Sequence, residues 1–215
     1  MSISVLIADD HAVVRDGLKL LLENQQDIKV VALASNGREA VKLAKKHFPD
    51  VAVLDIAMPE LNGIEAALKI RESSPQTRII MLSMHATSEH VFRSLQAGAA
   101  GYLLKESAGS EVVKAIRDVH AGRRYLSKKI EDAGRFAVGP ALSGDRSPIE
   151  SLSEREREVL QLVVEGRSSA QIASAINLSP KTVETYRSRI MQKLDVHDVA
   201  GLVKFALQHG VTGEE

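Results

Sequence analysis

The sequence predicts an α/β domain built on a five-stranded, parallel, doubly wound sheet, followed by an all-α domain of four helices. Two observations predict it. Five short apolar runs alternate with amphipathic helical stretches over the first 120 residues. From residue 151 onward only helical periodicity remains. The predicted division is 1–120 for the α/β domain, 121–150 for a linker and 151–215 for the helical domain.

Ile3 to Ala8 is the first strand, and it ends in Asp9 and Asp10. Val14, Leu18, Leu21 and Leu22 then mark a helical stripe. Ile28 to Leu33 is the second strand, and Ala40, Val41, Leu43 and Ala44 lie on the second helix. Val51 to Leu54 is the third strand. It is short, β-branched and without alternation, as suits a strand covered on both faces. It ends in Asp55, and the turn residues Pro59, Asn62 and Gly63 follow. Ile64 to Ile70 supplies the third helix. Arg78 to Leu82 is the fourth strand, ending at Ser83, and Val91 to Ala97 lies on the fourth helix. Gly101 to Leu104 is the fifth strand, ending at Lys105, and Glu111 to His120 is the fifth helix.

The linker begins basic and mixed, from Arg123 to Lys129, so that its first part extends the fifth helix or forms a short one. Residues 139–148 are rich in breakers and are expected to be flexible. Ser153 and Glu156 form a capping box for a helix carrying Val159, Leu160 and Val163. Ser168 to Gln171 opens a short helix with Ile172 and Ile176. Ser179 and Pro180 start a third helix, which runs to about Leu194. Asp198 leads into a fourth, bearing Leu202, Val203, Phe205 and Ala206.

Composition excludes several chemistries. There is no cysteine, hence no thiolate metal site, thiol nucleophile or disulfide framework. No apolar run approaches the roughly 18 residues of a membrane span. The first residues lack the basic segment and apolar core of a secretion signal, so a cytoplasmic location is expected. Net charge is zero, and so gives no overall nucleic-acid signal. Residues 179–193 are the local exception, with four basic side chains against one acid.

Right-handed crossovers place the carboxyl ends of parallel strands on one edge. Asp9, Asp10, Asp55, Ser83 and Lys105 should therefore converge there. Crowded carboxylates repel one another and suit a hard divalent cation, Mg2+ or Mn2+. Asp10 and Asp55 are the expected direct ligands, and Asp9 acts through water. Lys105 supplies positive charge, either to Asp55 or to a phosphoryl oxygen, and Ser83 can donate to another. These parts make a phosphoryl-transfer site with Asp55 as the acceptor. The plain alternative is that the acids cap the first helix and Lys105 pairs with one of them.

With those residues in place, 1–120 resembles a response-regulator receiver domain. The carriers are Asp9-Asp10, the run from Asp55 through Gly63, Ser83 and Lys105. The resemblance implies a flavodoxin-like fold and phosphorylation of Asp55 by a sensor histidine kinase. It also implies metal binding by Asp10, Asp55 and the backbone carbonyl of Ala57. Ser83 and Tyr102 would report phosphorylation by reorienting, although a strand Tyr is also commonly a core residue whose hydroxyl reaches a partner. Two departures stand out. Glu106, where many receivers have proline, follows Lys105. Ala57 has no side chain to orient an attacking water, so self-dephosphorylation is expected to be slow, with His85 partly offsetting this.

In the helical domain Val183, Ile190 and Leu194 share one face of the third helix, with Tyr186 at its border. Lys181, Glu184, Thr185, Ser188 and Gln192 lie opposite, with Arg187, Arg189 and Lys193 on the flanks. This suits a recognition helix, and equally a solvated helix of a small bundle. Residues 152–211 resemble the LuxR-type helix-turn-helix of the NarL/FixJ response regulators. The carriers are Leu152 to Leu160, Gly166, Ile172-Ala173, Leu178 to Tyr186 and Lys193-Leu194. The resemblance implies DNA contacts by Lys181, Thr182, Glu184, Thr185, Arg187, Ser188, Arg189 and Lys193, and dimer contacts through the last helix. Glu184 stands where lysine is common, and Tyr186 where histidine is.

The expected function is a two-component transcription regulator. Phosphorylation of Asp55 would switch homodimerisation and binding to promoter DNA, with RNA polymerase as an allowed further partner and no membrane. A regulator working without phosphate, through protein contacts, is the alternative. The chain accepts its phosphoryl group stoichiometrically and is not expected to be an enzyme. An aspartyl phosphatase would place an Asp at position 57, and a nucleotide-binding protein a glycine-rich phosphate loop; neither is present.

Overall fold

A computed structural model describes residues 2–132 and 148–212. The chain divides into two units, Met1–Val138 and Gly139–Glu215. The breaker-rich stretch expected to be flexible lies, apart from its last residue, outside the described residues. Among the described residues no helix is long and apolar enough to cross a membrane.

The first unit alternates β1 (Ile3–Ala8), α1 (Ala12–Glu23), β2 (Ile28–Ala34), α2 (Gly37–His47), β3 (Val51–Asp55) and α3 (Gly63–Ser73). It continues with β4 (Arg78–Ser83), α4 (Ser88–Gln96), β5 (Gly101–Leu104), α5 (Lys105–His120), β6 (Tyr125–Leu126) and α6 (Lys128–Asp132). The sheet order is β2-β1-β3-β4-β5-β6, and every pairing is parallel. The order reverses between β1 and β3, which opens a crevice at their carboxyl ends.

Each strand divides its side chains between two apolar layers, because successive Cβ atoms point to opposite faces. Leu6, Ala52, Leu54, Met81 and Tyr102 pack on the side of α2, α3 and α4. Val5, Ile7, Val53, Ile80, Leu82 and Leu103 pack on the side of α1 and α5. All five residues of β3 are buried, which explains its uninterrupted apolar run.

Two features correct the expected boundaries. The sheet has six strands, because Tyr125–Leu126 pairs with β5. That strand and α6 lie in the stretch read as linker. Ser127 explains the attachment. It is fully buried, its hydroxyl accepts from the Leu104 N–H at 3.1 Å and donates to Glu111 at 2.7 Å, and its own N–H donates to the Tyr102 carbonyl. Such short strands carry too little apolar pattern to be read from sequence. The fifth helix also begins earlier, directly at Lys105. Without a proline at 106 nothing forces an extended residue at Lys105.

The second unit begins with a 3-10 turn, Pro148–Ser151. Four helices follow: α7 (Glu154–Val164), α8 (Ser169–Ile176), α9 (Pro180–Leu194) and α10 (Val199–Gln208). Ser153 with Glu156 and Ser168 with Gln171 form reciprocal capping boxes, each satisfying two otherwise unpaired N–H groups. Ser179 and Asp198 cap the last two helices. Asn177 adopts the left-handed conformation (φ 54°) that ends α8 and turns the chain into α9. Val159, Leu160, Ile172, Val183, Ile190 and Leu202 form the core.

Candidate functional sites

The crevice between β1 and β3 holds the predicted acids. Asp9 and Asp55 are buried, whereas Asp10 is exposed. Lys105 bridges the two buried ones: its Nζ lies 2.8 Å from Asp9 Oδ2 and 2.9 Å from Asp55 Oδ2. Local structure fixes each part. The His11 N–H donates to Asp9 Oδ1 at 2.9 Å, and Arg15 donates to the Asp9 carbonyl at 2.6 Å. Beyond Asp55, the Gly63 N–H returns to the Ile56 carbonyl at 2.9 Å. A Cβ on Gly63 would stand 2.0 Å from the Asp55 carbonyl oxygen, so only glycine lets α3 start so close. Asn62 caps α3 by accepting from the Glu65 N–H. Ala57 is half-buried in this loop.

Electrostatics weaken the acidity of Asp55. Burial, followed by the charge of Asp9, raises its pKa to about 7, against the opposing pull of Lys105. Burial acts to lower the pKa of Lys105, but the charge of Asp55 and the contacts with both acids outweigh it and raise it.

The residues fit a hard divalent cation. Asp9 Oδ2 and Asp55 Oδ2 are buried and share the ammonium of Lys105 between them. Two buried carboxylates sharing one ammonium keep an excess of negative charge, which a divalent cation would offset. Asp9, Asp10, His11 and Asp55 each offer one ligand atom, and these atoms lie within 4.8 Å of one another. His11 was not picked out from sequence, although it directly follows the acid pair.

Ser83 is buried at the end of β4, and its Oγ accepts from the His85 N–H at 3.0 Å. Tyr102 is fully buried, and its hydroxyl donates to the His85 carbonyl at 2.8 Å. Burial pushes the Tyr102 phenol above its usual range. The ring packs in the core while the hydroxyl holds the β4–α4 loop, as the core reading of Tyr102 expects.

The second candidate site is the outer face of α9. Ser179, Lys181, Thr182, Thr185, Tyr186 and Arg189 line an open depression of about 310 Å³. Thr185 and Ser188 turn their hydroxyls back to the carbonyls of Lys181 and Glu184. Glu184 and Arg187 behave differently. Glu184 accepts from Ser169 of α8, and Arg187 donates to the same hydroxyl at 3.0 Å. Lys193 lies apart from this face. Its Nζ contacts Glu156 at 2.7 Å and the Ser151 carbonyl at 3.1 Å, tying the end of α9 to the start of α7. Burial works to raise the pKa of Glu156, but Lys193 and Ser153 outweigh it and hold it below its usual range.

Comparison with known proteins covers both units. Residues 5–117 match the response regulator receiver domain family. Residues 150–206 match the bacterial regulatory proteins of the luxR family. The chain is 41% identical to the response regulator UvrY of Escherichia coli K12, over 99% of this chain and 97% of that protein. It is 38% identical to the oxygen regulatory protein NreC of Staphylococcus epidermidis, over 95% of this chain and 96% of that one. Among solved structures, the complex of the two-component response regulator RcsB with DNA superposes with a TM-score of 0.59. Its identity is 26%, over 95% of this chain and 98% of that chain.

Proposed function

The chain belongs to the NarL/FixJ-type two-component response regulators, which join a receiver to a LuxR-type DNA-binding domain, and we propose that Asp55 is its phosphoryl acceptor and α9 its DNA-reading helix. The observation that carries the first part is the bridge from Lys105 to Asp9 and Asp55, 2.8 and 2.9 Å long, at the crevice of the sheet. The three residues come from separate strand ends, and no one of them accounts for the arrangement.

The donor is a phosphohistidine of a sensor kinase. An oxygen of Asp55 attacks the phosphorus in line, the P–N bond breaks, and the kinase histidine leaves. Asp10, Asp55 and the Ala57 carbonyl would hold Mg2+ or Mn2+, with Asp9 through water. Bound there, it would supply positive charge against the phosphoryl oxygens. Lys105 moves from the free carboxylate to a phosphoryl oxygen. Ser83 donates its hydroxyl to another. Ala57 presents no group to the attacking water, so the phosphate is retained and the chain does not turn over as an enzyme.

The output is binding of promoter DNA by a homodimer. Phosphorylation shifts an existing equilibrium, because its contacts with Ser83 and Lys105 form in one state only. Lys181, Thr182, Thr185 and Arg189 surround the depression on α9 and are the groups that meet DNA. Ser188 lies exposed beside them.

The test is sizing and DNA binding of the full chain with and without beryllofluoride and Mg2+. Dimerisation and tighter DNA binding are expected in the native sequence and lost in Asp55→Ala. Mass and affinity that ignore beryllofluoride would instead establish a regulator acting without phosphate.

A further inference from the structure

His11 stands where the acidic pocket meets solvent. Its Nδ1 lies 2.7 Å from Asp10 Oδ1 and 3.2 Å from Asp9 Oδ1. The side chain is 66% exposed, whereas Asp9 beside it is fully buried. His11 also occupies the N-terminal boundary position of α1, with its backbone N–H held by Asp9. The position of the imidazole is thus set by the backbone that carries the acids, while the ring itself stays open to solvent.

Three carboxylates alone form an oxygen site, suited to Mg2+. An imidazole nitrogen among them changes the preference. Nitrogen ligands suit the later transition ions, whose affinities rise from Mn2+ through Ni2+, whereas Mg2+ gains little from nitrogen. The 4.8 Å span of the ligand atoms is close to the roughly 4.2 Å between opposite ligands of an ion with bonds of about 2.1 Å. An exposed side chain closes that difference with a small rotation.

We propose that His11 is a metal ligand, and that with Asp10 and Asp55 it binds a divalent transition ion such as Ni2+ or Zn2+ more tightly than Mg2+. The inference rests on the reading of the pocket as a cation site given above. Imidazole Nδ1, in place of its contact with the Asp10 carboxylate, would take the ion together with that carboxylate. An ion so held occupies the acceptor carboxylate, so excess Ni2+ or Zn2+ competes with Mg2+ and lowers phosphorylation of Asp55. The receiver would then answer to metal supply as well as to its kinase.

Calorimetric titration of the untagged full chain with Ni2+ and with Mg2+ tests this, in the native sequence and in His11→Gln, His85→Gln and Asp55→Asn. His11 is exposed, so His11→Gln leaves the fold intact, which circular dichroism checks. Ni2+ affinity should fall at least about tenfold in His11→Gln, while Mg2+ affinity falls less than about threefold. Asp55→Asn should weaken both ions, and His85→Gln neither. Unchanged Ni2+ affinity in His11→Gln overturns the proposal. So does an equal loss in His85→Gln, which would assign the nitrogen to the other histidine. Ni2+ binding that needs His11 and ignores Asp55 places the ion outside the pocket and overturns it as well. Native protein that binds no Mg2+ sinks the cation-site reading itself, and this inference with it.

Discussion

Ser83 and Tyr102 hold the same residue from its two ends: the hydroxyl of one accepts from the N–H of His85, and the hydroxyl of the other donates to its carbonyl. Ser83→Ala should therefore speed exchange of the His85 amide in the unphosphorylated receiver. Tyr102→Phe should lower receiver stability by about 0.5–1.5 kcal/mol, the net worth of one hydrogen bond. Amide exchange followed by NMR and urea unfolding read the two effects.

The raised pKa of Asp55 makes stability depend on pH when no metal is bound. Folding raises its pKa from the ordinary 3.8 to about 7. The contribution is therefore fully present below about 3.8 and is lost as pH rises through about 7. Asp55→Asn removes the charge at every pH. In chelator it should stabilise the receiver at pH 8 by roughly 2–4 kcal/mol, with a gain that shrinks towards pH 5. Melting curves across pH check this, and a constant gain would contradict it. Adding Mg2+ at pH 8 should abolish most of the difference.

Ala57 is predicted to set the lifetime of the phosphorylated state. Ala57→Asn places an amide where it can orient water, and should accelerate loss of phosphate from Asp55 by about tenfold or more. Chasing the phosphorylated protein on a phosphate-affinity gel measures the rate. His85→Ala tests the smaller contribution expected from that side chain, and should slow the loss.

The basic groups of α9 should separate by role. Lys181→Ala should weaken DNA binding uniformly across sequences and reduce the salt slope by about 1. Lys193→Ala leaves Glu156 without its cation, so it should cost about 0.5–1.5 kcal/mol of domain stability. Its effect on the salt slope should be the smaller. Titrations at several salt concentrations, alongside thermal melts, distinguish the two.

Glu184 joins Ser169 and Arg187 across α8 and α9. Glu184→Ala removes the carboxylate from this cluster, leaves Arg187 on Ser169 alone, and takes a negative charge from the helix proposed to read DNA. Sequence preference should relax, and non-specific affinity should rise slightly. Selection from a randomised site library reads the preference. An unchanged preference would show that Glu184 neither reads bases nor positions Arg187.

The receiver was legible because its signals are long-range but simple. Buried parallel strands lose alternation, as β3 does, and a polar residue at each strand end has one edge on which to lie. Asp9, Asp55 and Lys105 meet there as expected. Periodicity on α9 likewise separated Val183 and Ile190 from the polar face. Sequence reasoning stopped at pairings that depend on a single contact. Nothing in its position announces that Lys193 reaches back to Glu156. Nor does Ser169 look like the anchor of Glu184 and Arg187. His11 was visible beside Asp10, but only coordinates show its nitrogen turned towards the acids.

The sixth strand determines where this receiver can be cut. A chain ending at residue 120 would lack Tyr125–Leu126 and, with them, Ser127. The Leu104 N–H would then lose its acceptor at the new edge of the sheet, one residue before the lysine that bridges the acids. Glu111 would lose its hydroxyl donor, and the exposed edge of β5 would be free to pair with another chain. A shortened receiver should therefore run through Asp132. One trimmed to the usual five strands would be judged on an edge that the whole protein never exposes.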